Sequence, residues 1–409
     1  MVPDGWKKAP LKTVAEVRSG VAKGKSGLRD PISVPYLRVA NVQDGHINLD
    51  EVKEIEIESH QLERYALKFG DVLMNEGGDF NKLGRGDVWL AQITPCLHQN
   101  HVFAVRPMLE KVDSFFLAAL AASSYGKKYF LSCAKRSTNL ASINSSQLKE
   151  FPVLIPPLPE QKRIAQILSI WDKAITITEQ LLTNSQQQKK AMMQQLLTGK
   201  KRFLNFSTEW KEVTLGTIFC RVMKKNCGYS TNVVTISGQQ GLIRQDEFFK
   251  KTIASDILDG YFLIKKGQFA YNKSYSIGYP MGAIKRLNRY EHGVVTTLYI
   301  CFELSDLDNA DSDFFEHYFE SGMLNRGLMK IAHEGGRAHG LLNVKPSDFF
   351  SLSVFLPPID EQKKIAGALT TADCEITTLQ QKLNHLKQEK KALMQQLLTG
   401  RRRVKVDAA

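Results

Sequence analysis

Two stretches of the chain place apolar residues at alternating spacings of four and three positions. In the first stretch the apolar positions are Ile164, Leu168, Trp171, Ile175, Leu182, Met192 and Leu196, with Thr178, Ser185 and Lys189 as weak positions. In the second they are Ile365, Leu369, Ala372, Ile376, Leu379, Leu383, Leu386, Leu393 and Leu397, with a break at Lys390. A 3.5-residue period sustained over several heptads is typical of a coiled coil. The pattern therefore predicts two long helices, each with an apolar face that needs a partner.

The residues at the ends of both stretches favour helix termini. Pro159 suits the first turn of a helix, and Asp360 suits an N-cap. Gly199 and Gly400 suit the position just beyond a helix, where φ is positive. We therefore predict spacer helices at residues 159–199 and 360–400, each about 60 Å long.

The two predicted helices are copies of one segment. PPLPEQKRIAQIL (Pro156–Leu168) aligns with PPIDEQKKIAGAL (Pro357–Leu369), and KAMMQQLLTG aligns with KALMQQLLTG, both at an offset of 201. Across residues 156–199, 24 of 44 positions are identical to their partners. A twofold axis relating the copies would pair the helices antiparallel. The alternative is that each helix packs only on its own domain.

The remainder of the chain is repeated only loosely. Trp6 and Lys7 resemble Trp210 and Lys211, and GDVLMN (70–75) resembles GQFAYN (267–272). Runs such as PYLRVANV (35–42) and NVVTISG (232–238) predict strands, and they alternate with helical stretches. The predicted fold class is α+β, with two mixed α/β recognition domains in a tandem pseudo-twofold repeat, separated by two long helices that form an antiparallel coiled coil. The predicted segments are domain 1 (1–158), helix 1 (159–199), a basic linker (200–208), domain 2 (209–359), helix 2 (360–400) and a basic tail (401–409).

Glycine-rich loops follow the GDVLMN and GQFAYN strands. The loops EGGDFNKLGRG (76–86) and KSYSIGYPMG (273–282) mix glycine with cationic, amide and aromatic residues, which can reach phosphates and base edges. A second pair of segments, RSTN (136–139) and RAH (337–339), lies about 20 residues before each proline pair. The candidate DNA contacts are Lys82, Arg85, Arg136, Lys273, Tyr275 and Arg337. For any one of them, ordinary solvation of a polar turn is the alternative.

Composition and charge agree with a DNA-binding role. The 409 residues carry a formal net charge of +13 and a pI of about 9.3, which favours a polyanionic partner over a merely solvated basic surface. The six cysteines are scattered without a C-x-x-C motif, as expected for free thiols in a reducing cytoplasm. MVPDGWKK lacks the apolar region of a signal peptide, and FFLAALAA (115–122) is too short to span a bilayer, so no membrane association is expected.

Several segments resemble catalytic or metal-binding motifs but lack a residue that the motif requires. GVAKGKSG (20–27) resembles a phosphate-binding loop, but Ser19 stands where the motif requires glycine. Cys96, His98 and His101 lack a fourth metal ligand and have no equivalent in the second repeat. Glu51 and Lys53 have the acid-x-lysine spacing found in many Mg²⁺ nucleases, but the surrounding segment fits an amphipathic strand with a charged face better. No dinucleotide-binding glycine motif is present, and neither proline pair follows Asn, Asp or Ser as in amino-methyltransferases.

The doubled PP-x-x-EQ-[KR]-x-I motif, each copy preceding a long helix that ends in QQLLTG, resembles the two conserved regions of Type I restriction-modification specificity subunits. The resemblance extends over the whole chain. It implies a non-catalytic subunit in which each recognition domain reads one half of a bipartite DNA target and the helices set the unread gap. Because the two domains differ, an asymmetric target is expected.

The resemblance also implies partners and cofactors. Two methylation subunits would join the chain to form an adenine-N6 methyltransferase that uses S-adenosylmethionine. Restriction subunits, where present, would add endonuclease activity dependent on ATP and Mg²⁺. This chain itself is expected to hold no cofactor.

We predict that partner contacts lie on the long helices and on their Glu-Gln motifs, at Glu160, Gln161, Glu361 and Gln362. These parts occur once in each repeat, as the binding sites of two identical partner subunits would. Two other functions remain as alternatives. One is a DNA-binding enzyme, a nuclease or methyltransferase with embedded catalysis, and the other is a coiled-coil assembly protein that does not bind DNA.

Overall fold

The computed structural model describes residues 2–23, 27–78, 80, 83–136, 141–249, 258–276, 278–334 and 342–405, and for Arg136, His333 and Glu334 it describes the backbone alone. The chain divides into two compact units. Unit 1 comprises Met1–Glu179 with Gln381–Ala409, and unit 2 comprises Gln180–Gln380. Both division points fall inside the long helices, so these units differ from the predicted linear segments, whose limits stay a prediction.

Unit 1 is a mixed α/β structure. Its strands are β1 (Lys7–Pro10), β2 (Ala15–Ser19), β3 (Pro31–Leu37), β4 (Lys53–Glu58), β5 (Val72–Asn75), β6 (Gly77–Gly78), β7 (Gly86–Val88), β8 (Leu97–His98), β9 (Val102–Pro107), β10 (Lys135–Arg136), β11 (Ala141–Ser142) and β12 (Pro152–Ile155). Its short helices are α1 (Leu62–Tyr65), α2 (Ser114–Ala122), α3 (Ser124–Cys133) and α4 (Ser145–Lys149), with 3₁₀ turns at Leu11–Thr13 and Ser59–Gln61. The first long helix, α5 (Leu158–Leu196), begins here.

Unit 2 repeats this plan with different residues. Its strands are β13 (Lys211–Thr214), β14 (Phe219–Val222), β15 (Val234–Ser237), β16 (Gly241–Arg244), β17 (Phe262–Lys265), β18 (Phe269–Asn272), β19 (Ala283–Arg286), β20 (His292–Val295), β21 (Ile300–Leu304), β22 (His333–Glu334), β23 (Leu342–Asn343) and β24 (Ser353–Leu356). Its short helices are α6 (Leu215–Ile218), α7 (Gln245–Phe248), α8 (Ser312–Glu320), α9 (Asn325–Ile331) and α10 (Pro346–Phe350). The second long helix is α11 (Ile359–Leu397).

The sheets show the internal repeat more clearly than the sequence does. Unit 1 has an antiparallel sheet in the order β2-β9-β5-β7, and unit 2 has one in the order β14-β21-β18-β19. In each unit the strand that leads into the long helix pairs with the strand nearest the start of the repeat, β12 with β1 and β24 with β13. The loose Trp-Lys and GDVLMN/GQFAYN resemblances therefore mark equivalent strands.

One strand prediction was too long. The PYLRVANV run forms strand only to Leu37, within β3, and then turns. The turn arises because the buried Asn41 side chain accepts a hydrogen bond from the Arg38 backbone N–H at 2.9 Å. A side chain that bonds the backbone locally offers it an alternative to the sheet ladder.

The long helices begin one residue before their predicted starts and end three residues before their predicted ends. Gly199 and Gly400 have φ of 68° and 67°, which confirms the predicted left-handed position beyond each helix. The mean rise of an α-helix gives each 39-residue helix a length of about 59 Å.

Antiparallel pairing of α5 and α11 is present inside each unit. In unit 2, Lys189 Nζ lies 2.5 Å from Asp373 Oδ1, and in unit 1 Lys390 pairs with Asp172. These two ion pairs are related by the 201-residue repeat. Two of the polar positions that interrupt the apolar stripe, Thr178 and Ser185, are buried. The Ser185 hydroxyl donates a hydrogen bond to Glu375 Oε1 at 3.1 Å. Polar groups within an apolar seam can fix the register of a helix pair.

Each unit has its own apolar core, to which the ends of both long helices contribute. In unit 1, Ile164 and Leu168 of α5 pack with Leu397 and Leu398 of the α11 end around Phe116. In unit 2, the corresponding helix residues surround a cluster of phenylalanines: Phe219, Phe269, Phe302, Phe315 and Phe319. The predicted apolar stripes are therefore buried partly against each other and partly against the domains.

Candidate nucleic-acid interface and helix clamps

In unit 1 one small sheet contains both the start of the glycine-rich loop and the candidate contact Arg136. The glycine-rich loop begins with β6, whose Gly77 and Gly78 pair with Ser142 and Ala141 of β11. Strand β11 in turn pairs with β10, so that Ala141 lies opposite Arg136. The sequence placed the loop and the RSTN segment about 60 residues apart. The sheet β10-β11-β6 brings Arg136, the first residue of that segment, within one strand of the start of the loop.

Close backbone approach explains glycine at the end of this loop. A Cβ atom on Gly86 would lie 1.6 Å from the Leu73 carbonyl oxygen, so no other residue fits there without moving the strand. Gly78 has φ of 148°, which few other residues adopt. These glycines are therefore set by the geometry of the sheet edge and not by a need for a flexible turn.

Arg85 lies at the C-terminal end of the same loop, directly before β7. Its backbone carbonyl accepts a hydrogen bond from Asn75 N–H at 3.0 Å, which fixes the position of its backbone. Its side chain is half-buried, and Nε is buried without a hydrogen-bond partner. Because this Nε is buried, a contact of Arg85 with a phosphate or a base edge would have to be made by the terminal nitrogens of its guanidinium. Lys82 lies outside the described residues, and for Arg136 only the backbone position is described.

Unit 2 makes the same juxtaposition with different residues. The Lys273 carbonyl at the start of its glycine-rich loop accepts from Leu342 N–H of β23 at 2.9 Å, and β23 pairs with β22. Burial, with a smaller contribution from nearby Arg221, lowers the pKa of the half-buried Lys273 ammonium. Tyr275 is 61% exposed, so its ring is open to solvent. Arg337 lies outside the described residues.

The glutamates of the doubled motif lie at the centre of two equivalent clusters, which we call the helix clamps. In unit 1, Glu160 is 1% exposed and accepts a hydrogen bond from Trp6 Nε1 at 3.1 Å. Arg403 of the basic tail donates from Nε and Nη2 to the two Glu160 oxygens, at 2.7 and 2.8 Å. Bonding to Glu160 raises the pKa of the Arg403 guanidinium.

The clamp of unit 2 has the same three residue types. Glu361 is fully buried and accepts from Trp210 Nε1 at 3.1 Å. Arg202 of the basic linker donates from Nε and Nη2 to Glu361, at 2.9 and 2.6 Å. One arginine of each basic cluster is thus used inside the chain and is not available to a polyanion.

The motif glutamines tie the long helices to the start of another helix. Gln161 Oε1 accepts from the backbone N–H of Asp113, the N-cap residue of α2, at 2.8 Å. Gln362 Oε1 accepts in the same way from Asp311, the N-cap residue of α8, at 2.9 Å. Both amide nitrogens donate to nearby backbone carbonyls at 2.8–3.0 Å.

These contacts bear on the predicted partner site. Glu160, Gln161, Glu361 and Gln362 are all buried and engaged within their own unit. None of the four side chains can contact a partner in this conformation. The predicted partner contacts on the long helices and on these four residues stay a prediction.

Sequence reasoning missed the partners of the glutamates. Trp6 and Trp210 were noted only as a weak repeat, and Arg202 and Arg403 only as members of basic clusters. A signal was present, because Trp, the motif glutamate and a terminal arginine recur in both repeats at similar spacing. What the sequence could not show is that a tail residue returns to a helix start more than 240 positions earlier.

The rejected metal-binding residues have separate roles. His98 Nδ1 donates to the Val102 carbonyl at 2.7 Å, and Cys96 Sγ to the Leu97 carbonyl, while His101 bonds Glu76. The described residues contain no group of three or more His, Cys, Asp or Glu side chains placed to hold a metal ion.

No helix in the described ranges has the length and apolar character needed to cross a membrane.

His98 is expected to make folding stability depend on pH. Burial lowers the pKa of its imidazole from 6.5 to about 4. Between these values the unfolded chain binds the proton and the folded chain does not, so stability falls as pH drops from 6.5 to 4, by up to about 3 kcal/mol. Urea unfolding at pH 7 and pH 4.5 measures this loss. The His98→Asn variant, which cannot titrate, should lose less over the same interval, and equal losses in both proteins would contradict the assignment.

Comparison with known proteins gives concordant matches. Residues 3–184 match the family model described as the Type I restriction modification DNA specificity domain. A putative type I restriction enzyme MjaX specificity subunit of Methanocaldococcus jannaschii is 26% identical over 432 residues, covering 99% of this chain and 95% of that protein. The S subunit of a Type I restriction-modification system from M. genitalium has a TM-score of 0.56 at 16% identity, with 96% of both chains covered. A chain from a structure of the type I R-M system has a TM-score of 0.57 at 15% identity, with 97% and 98% covered.

Proposed function

On these similarities, we propose that the chain is a DNA specificity subunit of a Type I restriction-modification system and that its two units read the two different halves of one asymmetric, bipartite DNA target. The family role is DNA sequence specificity, and the family is non-catalytic. The alternative is a DNA-binding enzyme with its own catalysis, and catalysis by the purified chain with Mg²⁺ or S-adenosylmethionine would decide for it.

One observation carries the proposal. In both units a glycine-rich loop lies against a short hairpin, through β6 and β11 in unit 1 and through the Lys273 carbonyl and β23 in unit 2. The scaffold is the same, whereas the side chains on it differ: Arg85 is at the mouth of one loop and Tyr275 is exposed on the other. Equivalent scaffolds with different contact residues are what an asymmetric target requires.

The assembly follows from the family. Specificity subunits bind DNA and assemble with other subunits. We propose that two methylation subunits, which would bring S-adenosylmethionine, dock on the exposed faces of α5 and α11 and form an adenine-N6 methyltransferase in the cytoplasm. Restriction subunits, with ATP and Mg²⁺, would join the same complex where the cell makes them. The paired helices would set the gap between half-sites.

The direct test is modified-base sequencing of DNA from cells that express the chain with its methylation subunit. The expected result is a single asymmetric, bipartite motif with N6-methyladenine in each half. A stable complex that leaves no such motif would overturn the proposal. The affinity of the complex for DNA should also fall steeply as salt rises, since cationic side chains on phosphates release counterions.

Arg85→Ala is expected to impair one half-site only. If the guanidinium reads a base edge, binding to the cognate target should weaken by about 1–3 kcal/mol. Targets already mutated in the half read by unit 1 should show no further loss. Lys273→Ala provides the reciprocal control, because its effect should be confined to the other half. Equal weakening on all sequences would instead identify Arg85 as a phosphate contact.

A further inference from the structure

A second pair of equivalent loops lies beside the glycine-rich loops. The segments NVQDGHI (Asn41–Ile47) and SGQQGLI (Ser237–Ile243) are 196 positions apart and share Gln, Gly and Ile at their third, fifth and seventh positions. Both are tight antiparallel turns, with φ of 76° at Gly45 and 75° at Gly241. We call them the glutamine turns.

In each unit, the backbone carbonyl of the second residue of the glutamine turn accepts a hydrogen bond from a side chain at or beside the glycine-rich loop. In unit 1, Asn75 Nδ2, at the end of β5, donates to the Val42 carbonyl at 2.8 Å. In unit 2, the Tyr279 hydroxyl, within the loop itself, donates to the Gly238 carbonyl at 2.8 Å. Val42 and Gly238 occupy the second position of the two seven-residue segments. The two domains differ in sequence, yet each holds its turn through a hydrogen bond to the same position of the segment, made by a different side chain. This indicates that function requires the turn to lie beside the glycine-rich loop.

Further contacts make both turns rigid. In unit 1, Gly45 N–H donates to the Gly86 carbonyl at 3.2 Å, and the buried Asn41 amide donates to the Asn48 and Glu51 carbonyls. In unit 2, the Tyr279 ring lies against Gly238 so closely that a Cβ there would be 2.7 Å from it. Glu320 Oε1 lies 2.6 Å from the same hydroxyl, so the single hydroxyl hydrogen of Tyr279 is shared between this carboxylate and the Gly238 carbonyl. A loop that is fixed before binding loses less entropy when it contacts a ligand.

The outer side chains of the turns remain available. Asp44 and His46 are exposed in unit 1, as are Gln239 and Gln240 in unit 2. The two glutamines of unit 2 line a polar cavity of about 1070 Å³. Gln43 is half-buried and donates one N–H to the Ala40 carbonyl at 2.5 Å, which leaves its oxygen and second N–H for a ligand.

We propose that the glutamine turns are a second base-reading element in each unit, with Gln43 and Gln239 contacting base edges of the half-site read by their own unit. A glutamine amide can donate to N7 and accept from N6 of adenine at once, which makes it a specific reader in the major groove. The inference rests on the proposed function. It adds to that function a reading surface composed of a glycine-rich loop, a hairpin and a glutamine turn.

The test uses the complex of the full chain with its methylation subunits. Gln239→Ala should lower discrimination at one position of one half-site by roughly 5- to 150-fold, seen as a degenerate letter in the methylated motif. Gln43→Ala should do the same in the opposite half. Gln92→Ala, which changes an exposed glutamine beyond the end of β7 that is away from the glycine-rich loop, should leave the motif unchanged. Wild-type motifs with unchanged discrimination in both turn variants would overturn the inference. Absence of a bipartite motif with the wild-type chain would instead overturn the proposed function.

Tyr279→Phe tests the junction separately. Tyr279 is a positioning residue, since it acts on bases only through the turn it holds. Loss of its hydroxyl should lower discrimination in the same half-site as Gln239→Ala, while affinity for non-cognate DNA stays as in the wild type. A variant that lowers only thermal stability, with an unchanged ratio of cognate to non-cognate binding, would show that the junction serves folding alone.

Discussion

Replacing Glu361 with Ala is expected to lower the free energy of unfolding by about 2–4 kcal/mol. The change leaves the Arg202 guanidinium and the Trp210 indole N–H without their shared acceptor. Losing one member of a fully buried ion pair typically destabilises a protein by 3–5 kcal/mol. We expect somewhat less because the Arg202 side chain is 22% exposed and regains some hydration.

The second clamp provides a matched comparison for this prediction. Glu160→Ala should destabilise the chain less, because the Arg403 side chain is 44% exposed and recovers more water on losing its partner. Chemical unfolding of both variants, with Arg202→Ala and the double variant to close a mutant cycle, separates the ion pair from the removed volume. If neither glutamate variant differs from the wild type by more than about 0.5 kcal/mol, the clamps do not stabilise the fold.

Inserting one heptad into α5 after Glu179 is expected to abolish the methylated motif. The seven added residues lengthen α5 by about 10.5 Å, whereas α11 keeps its length. Because both helices contribute to both units, the register can then be kept in only one of them. Either the Lys189–Asp373 pair or the Lys390–Asp172 pair must separate, and the buried stripe around it loses its match. Modified-base sequencing, with gel filtration of the complex, measures the loss.

A matched insertion in both helices is the control. A second heptad in α11 after Gln380 restores the antiparallel register in both units, so assembly and both half-sites should return. The unread gap should then lengthen by no more than about three base pairs, the number that spans 10.5 Å of duplex. An unchanged target in either assembled variant would refute the role of the helices as the spacer.

The long helices and their pairing were determined by local pattern. The 201-residue repeat and the 3.5-residue period predicted two copies of one helix in antiparallel contact, and Lys189–Asp373 with its repeat mate Lys390–Asp172 shows that contact. The glycines at 199 and 400 were also predictable, because a positive φ beyond a helix depends on a single residue. Periodicity and backbone preference act over a few residues, so the sequence displays them directly.

Side-chain partners distant in the chain were decided only by the tertiary structure. Glu160 was predicted as a partner contact from its repeated motif alone, and the sequence did not show that its side chain lies between Trp6 and Arg403. The PYLRVANV strand stops early because Asn41 bonds its own backbone and is held in the core.

The proposed reading surface was also determined partly by local sequence and partly by the tertiary structure. The sequence alone determined which loops carry glycine with cationic and aromatic residues, and that the two domains differ. Only the fold placed each loop beside a hairpin and a glutamine turn, joined through Asn75 in one unit and Tyr279 in the other. Hydrogen bonds of this kind join residues 33 to 41 positions apart, and no local pattern encodes them, because their geometry exists only after the core has closed.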